Sequence, residues 1–160
     1  MREIIPGLLW VGNAFDARDL KRVFDQGIQA FIDLAREESP VLPARELIYC
    51  RFPLVDGQGN SPAIIEAAIS TAVRFITAKV PTLISCGGGM SRSPAIAAAV
   101  IVRVDAIEPA EAIKRVAAAG PHDVAPLLWS EVVQVLQGSA ADRRQTTESC
   151  SLTAPKSDVA

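Results

Sequence analysis

Val80-Pro81-Thr82-Leu83-Ile84-Ser85-Cys86-Gly87-Gly88-Gly89-Met90-Ser91-Arg92-Ser93-Pro94 is the stretch from which the rest of the chain is read. Val80 to Ser85 has the composition of a short strand launched beside a proline. The apolar run that starts at Pro94 predicts a helix, with the proline in the first turn, where its missing N–H costs nothing. Ser93 is then the expected N-cap. Between strand and helix, a cysteine and an arginine are separated by five mostly small residues. Glycines allow consecutive backbone N–H groups to turn inward into a nest, and the helix aims its positive end at the same point. Both a thiolate and a tetrahedral dianion are stabilised by such a turn. Arg92 adds a planar fork of donors that can grip two oxygens, and the Ser93 hydroxyl is placed to donate to the Cys86 sulfur.

Outward from this turn, strands and helices alternate. Leu8 to Val11 is a strand candidate, Phe15 to Gln26 an amphipathic helix closed by Gly27, and Ile28 to Leu34 a second strand. A polar loop with prolines at 40 and 43 leads to a third strand, Leu47 to Phe52. The loop Pro53 to Ser61 precedes a helix from Pro62 to Lys79, which has Ser61 as N-cap and Ile65, Ile69, Val73 and Ile76 on one face. After the strand ending at Ser85 come helices at Pro94 to Val104, Glu108 to Ala119 and Leu127 to Leu136. The order predicts a single α/β domain over residues 1–137, with a central, mainly parallel sheet flanked by helices. Cys86 falls at the carboxyl end of a strand, where such sheets bind ligands. From Gly138 to Ala160 apolar residues are few and no helical stripe is present, which predicts a disordered polar tail.

The loop resembles that of the cysteine-dependent phosphatases, and among them the dual-specificity phosphatases. Their loop has a cysteine, glycine three residues later, serine five later, arginine six later, then serine or threonine. Cys86, Gly89, Ser91, Arg92 and Ser93 stand at those positions, and the resemblance runs from the PGLLWVG segment at Pro6 to Leu136. It departs at Ser85, where the family usually has histidine. The resemblance implies a phosphatase-like fold and a phosphoprotein or other phosphomonoester as partner, with phosphotyrosine and phosphoserine or phosphothreonine accepted in a shallow cleft. Cys86 would be the nucleophile, Arg92 the phosphate and transition-state ligand, and Ser93 the hydrogen-bond donor to the sulfur. Backbone amides of Gly87, Gly88, Gly89, Met90, Ser91 and Arg92 would hold the phosphate. A leaving oxygen also needs a proton, and Asp56, thirty residues before Cys86 on the glycine-containing loop PLVDGQGNSP, is the candidate general acid and base. Its bland reading is an Asp-Gly turn. No cofactor or metal is expected, since the positive charge comes from Arg92 and the amides and one histidine makes no His-based cluster.

Composition narrows the alternatives. At 160 residues, 49% of them hydrophobic, the chain can bury one sizeable core. A net charge of −2 gives no electrostatic reason to expect nucleic acid as partner. Three widely spaced cysteines at 50, 86 and 150 do not form a disulfide framework, which suits a reducing cytoplasm. No signal peptide is read at the N-terminus. The longest apolar block, Pro94 to Val102, is about half the roughly 20 residues of a membrane span, so no membrane partner is expected. Two other functions share parts of the pattern: a rhodanese-like sulfurtransferase, which also presents a cysteine between strand and helix, and a non-catalytic phosphate-binding module. Cys50 reads as a small core residue or, as in some of the family, a redox partner for Cys86. His122 reads as an exposed loop histidine or a pocket-lining one. Trp10 and Trp129 read as buried anchors.

Overall fold

The computed structural model describes residues 1–42 and 46–151, with side chains up to Gly138. Five strands form one sheet: β1 (Arg2–Ile5), β2 (Leu9–Asn13), β3 (Ala30–Ala35), β4 (Ile48–Leu54) and β5 (Thr82–Cys86), in the order β1-β2-β5-β3-β4. β2, β5, β3 and β4 are mutually parallel, and β1 pairs antiparallel with β2 at the edge. The three inner strands are buried along nearly their whole length, as parallel strands covered on both faces must be.

Strand periodicity divides the side chains between two cores. Leu9, Val11, Ile32, Leu34 and Ile84 face the larger one, packed by α3 (Pro62–Thr77), α4 (Arg92–Asp105), α5 (Pro109–Ala118) and α6 (Pro126–Ser151). Trp10, Phe31 and Leu83 face the other, closed by Ala17 of α1 (Ala14–Arg18), Val23 of α2 (Leu20–Asp25), Ile28 and Leu47. α4 is the central buried helix: every residue from Arg92 to Ile101 is buried. Its alanines let the neighbouring helices and the sheet approach closely, which explains why an apolar helix carries so little bulk on some of its faces. Trp10 is buried and Trp129 packs partly buried against the larger core, both as anchors.

Four details differ from the sequence reading. β1 was not expected; Arg2 to Ile5 is an edge strand whose alternation is too short to stand out. The helix expected over Phe15 to Gln26 is two, because Asp19 leaves the helical region (φ −80°, ψ 73°) and its side chain caps α2 by accepting from the Arg22 N–H. Asn13 and Asp16 form a capping box at the start of α1, a signal hidden in NAFD. α6 continues through Gly138 to Ser151, where the sequence reading ended the helix; Ala, Arg, Gln and Glu have enough intrinsic propensity to propagate it without an apolar stripe. Pro43 and the last nine residues of the expected tail, 152–160, lie outside the described residues. No helix among the described residues is long and apolar enough to cross a membrane.

Ile69 is fully buried between α3 and the sheet. Ile69→Ala should destabilise the domain by about 2–5 kcal/mol, read as a lower midpoint in urea unfolding at an unchanged slope.

Candidate active site

Parallel pairing places the key loop. β5 lies between β2 and β3, with Asn13 opposite Cys86 and Gly12 and Asp33 opposite Ser85. The segment 87–91 therefore leaves the sheet at its carboxyl edge and turns directly into α4. Gly89 has φ +71°, and a β-carbon there would sit 2.9 Å from the carbonyl carbon of Gly12, so only glycine fits. Three carbonyls of the loop are tied outward: Gly87 O accepts from Ala14 N–H at 3.1 Å, Gly89 O from Arg2 Nη2 at 3.4 Å, and Met90 O from Asp123 N–H at 2.7 Å. In a trans peptide the following N–H points the opposite way, so the amides of Gly88, Met90 and Ser91 are turned inward. The Gly89 N–H donates to Cys86 Sγ at 3.3 Å.

Cys86 is buried, and its sulfur lies 3.2 Å from Ser93 Oγ. Ser93 is a residue of α4 and not its cap: the cap position is Ser91, whose side chain makes no capping bond. The Ser93 hydroxyl is instead spent within the site, between Cys86 Sγ and Gly12 O at 3.3 Å. Freed from capping, Ser91 Oγ accepts from the Ala125 N–H at 3.2 Å and donates to Asp56 Oδ1 at 2.5 Å. The loop between β4 and α3 thus brings Asp56 against the Cys86 loop. Asn60 braces that loop from within: its side chain accepts from Val55 N–H at 2.7 Å and donates to Gly57 O at 2.9 Å.

Arg92 occupies the first position of α4 and is buried. Its Nη1 donates to Leu54 O at 3.1 Å and to Glu37 Oε2 at 2.6 Å, and Nη2 donates to Glu37 Oε1. Nε is buried and has no partner, a donor left over for a ligand. Burial alone would lower the Arg92 pKa; the Glu37 carboxylate, with the charges of Cys86 and Asp56, more than offsets it and raises it. Reciprocally, Arg92 holds Glu37 below the usual carboxylate range. Glu37 is a residue the sequence reading missed. It follows the carboxyl end of β3, the same sheet edge as Cys86, and that position was its one available signal.

Of the other candidates, Cys50 sits half-buried on β4, with β3 between it and β5. Two strand spacings, about 9–10 Å, separate β4 from β5, beyond disulfide reach, so in this fold Cys50 packs against the core and does not pair with Cys86. His122 is partly buried on the loop after α5, and its Nδ1 is buried without a partner; the exposed reading does not hold. Arg2, from the unexpected β1, reaches the back of the Cys86 loop and lines a hollow of about 220 Å³ with Asn13, Asp16, Gly88 and Gly89.

The Glu37 shift has a consequence for stability. A carboxylate with a depressed folded-state pKa stabilises above its ordinary range, and that contribution disappears as pH falls through the lowered value. Glu37 is half-exposed, so solvent screening limits the effect to about 1 kcal/mol or less. Glu37→Gln should therefore be slightly less stable than the parent near neutrality, and the difference should shrink below the ordinary carboxylate range of about pH 4 and vanish once pH has fallen through the lowered Glu37 value, in urea titrations repeated across pH.

No protein-family model matches the sequence, and no curated protein matches it either. Solved structures do. Human DUSP28 superposes with a TM-score of 0.79 at 22% identity, covering 89% of this chain and 99% of its own. A mouse putative dual specificity phosphatase complexed with zinc tungstate gives 0.78 at 22% identity, with 89% of both chains covered. PTPMT1 gives 0.73 at 19% identity, covering 90% of this chain and 98% of its own. With its mainly parallel sheet, its buried α4 and its loop at the end of β5, the chain has the fold of the dual-specificity phosphatases.

Proposed function

We propose that this chain is a cysteine-dependent phosphatase that hydrolyses phosphomonoesters through a phosphocysteine intermediate. The observation that carries the reading is the convergence on one loop of a buried thiol, an arginine with an unpartnered buried Nε, inward amides and a carboxylate from a separate loop. Cys86 as thiolate attacks phosphorus, forming the S–P bond as the P–O bond to the alcohol or phenol breaks. Arg92 and the amides from Gly87 to Arg92 hold the equatorial oxygens, whose charge rises in the transition state. Asp56 delivers a proton to the departing oxygen. Ser91 engages Oδ1, which leaves Oδ2 to carry that proton. Water then attacks the phosphocysteine with Asp56, now ionised, as base, and the Ser93 hydroxyl, turning its proton from Gly12 O to the sulfur 3.2 Å away, eases departure of the thiolate.

The substrate class follows from the same surfaces. Gly87, Gly88 and Met90, the loop positions free to vary, bear no charge, so they supply no counter-charge for the additional phosphates of a polyphosphorylated inositide. Phosphotyrosine and phosphoserine or phosphothreonine in proteins are the preferred substrates on this reading. PTPMT1, one of the similar structures, has also been solved in complex with PI(5)P, so a phosphoinositide belongs beside phosphopeptides in a phosphate-release screen. Ser85 in the usual histidine's place favours a second reading, a module that binds phosphate without cleaving it.

Cys86→Ser separates the two. It should lose phosphate release from p-nitrophenyl phosphate to the background rate while still binding tungstate by calorimetry, because the amides and Arg92 remain. Retained hydrolysis in that variant removes the proposed mechanism, and no hydrolysis by the parent favours the binding module. Asp56→Asn should slow phosphoenzyme formation from aryl phosphates with poor leaving groups by about 10² to 10⁴, and affect good leaving groups less. Equal losses for both classes in rapid-quench measurements exclude Asp56 as the acid.

A further inference from the structure

We propose that Glu131, on α6, is a positioning residue for Asp56, holding the acid-bearing loop over the Cys86 loop. This rests on the reading of Asp56 as the proton donor. The loop 55–61 closes on itself through Asn60, whose side-chain nitrogen donates to Val55 O and Gly57 O, but the Gly59 and Asn60 N–H groups have no partner inside it. Glu131 takes both and also engages the Asn60 side-chain nitrogen. Oε1 accepts from the Gly59 N–H at 2.6 Å, and Oε2 accepts from the Asn60 side-chain nitrogen at 3.0 Å and from the Asn60 N–H at 3.3 Å.

Two features make this more than a surface contact. Gly57 and Gly59 have φ of +146° and +93°, so the loop is built from backbone that has many other conformations open to it, and the internal bonds of Asn60 to Val55 and Gly57 leave the Gly59 N–H edge to be fixed from outside. The tether also shares its frame with the reacting groups. Ala125, immediately before α6, donates to Ser91 Oγ, and Ser91 donates to Asp56; Glu131 follows in the second turn of the same helix. One rigid element therefore fixes both the tip of the Cys86 loop and the outer edge of the Asp56 loop. Their separation is set by helix geometry, not by the loops themselves.

The charge state fits the role. Burial pushes the Glu131 pKa up, and the bonds from Asn60 and Gly59 outweigh it, so the carboxyl is held below its usual value. The clamp is then intact above the ordinary carboxylate range and is lost only as pH falls through the lowered value. Glutamine cannot substitute, since its amide nitrogen would meet N–H donors where a second acceptor is needed.

The test compares the parent, Glu131→Gln, Asp56→Asn and the double variant on p-nitrophenyl phosphate and phenyl phosphate. Glu131→Gln should lower kcat on phenyl phosphate about 10- to 10²-fold, the scale of a small misplacement of a reacting group, with a smaller loss on p-nitrophenyl phosphate and little change in KM. In the Asp56→Asn background it should add nothing further, because no proton donor is left to position. An equal loss on both substrates, the same loss in the Asp56→Asn background, or no loss in a folded variant overturns the proposal. Glu131→Ala carries the same readouts if the glutamine variant does not fold. If the parent releases no phosphate from any substrate, the phosphatase reading fails, and amide exchange decides the positioning claim alone. Faster exchange at Gly59 and Asn60 in Glu131→Gln upholds it, and unchanged exchange overturns it.

Discussion

The contact between Gly89 and Gly12 is the constraint on which the site depends. The carboxyl end of β2 and the loop that follows β5 meet with backbone against backbone, at a distance that leaves no room for a β-carbon on Gly89. Gly12 is nearly as confined, since a β-carbon there would meet Asp16 and the Leu83 side chain at 3.1 to 3.2 Å. This close approach lets Ala14 N–H reach Gly87 O and lets Ser93 bridge Cys86 to Gly12. With the carbonyls drawn outward, the amides have nowhere to face but inward. The polarity of the loop is thus imposed by its neighbours and not by its own side chains.

Charge is arranged around that loop in a definite order. Arg92 is buried at the start of α4, where a lone cation would be costly. Glu37 and the Leu54 carbonyl take its two terminal nitrogens, fixing the plane of the guanidinium and leaving Nε unpartnered. Asp56 sits on the opposite loop, connected through Ser91 to the start of α6. Each ionisable side chain is held by a different element: Cys86 by β5, Arg92 by α4, Glu37 by the segment after β3, Asp56 by that after β4. Their mutual positions consequently rest on the packing of sheet and helices, which the continuous core around α4 makes rigid.

Much of this was legible in the chain. Local patterns carried β2 to β5, α3, α4 and α5, because each has a period or a proline and glycine boundary within a dozen residues. Cys86, Arg92 and Ser93 were legible because chemistry and spacing coincide on one turn. The split at Asp19 was not, since one side chain's choice to cap outweighed a continuous apolar stripe. Nor was β1, whose pairing with β2 is what gives it strand form. The capping expected of Ser93 is made by no side chain: Ser93 lies inside α4 and its hydroxyl is engaged by Cys86 Sγ and Gly12 O, while Ser91 at the cap position turns to Asp56 and Ala125.

The sequence by itself determined the turn: a cysteine and an arginine at fixed spacing, a glycine at position 89 where φ is positive, and a helix beginning directly after them. Those properties are local, set by covalent connectivity and backbone sterics over eight residues. Only the tertiary structure decided which other groups serve the turn. Arg2, Glu37 and Ala125 meet their partners in the turn across 87, 55 and 34 positions of the chain, and do so because the sheet and its two-sided packing bring their segments to one edge. A glutamate on a polar loop or a helix surface has the same composition whether it faces water or clamps an arginine, and burial and partner geometry, which are long-range properties, make the difference.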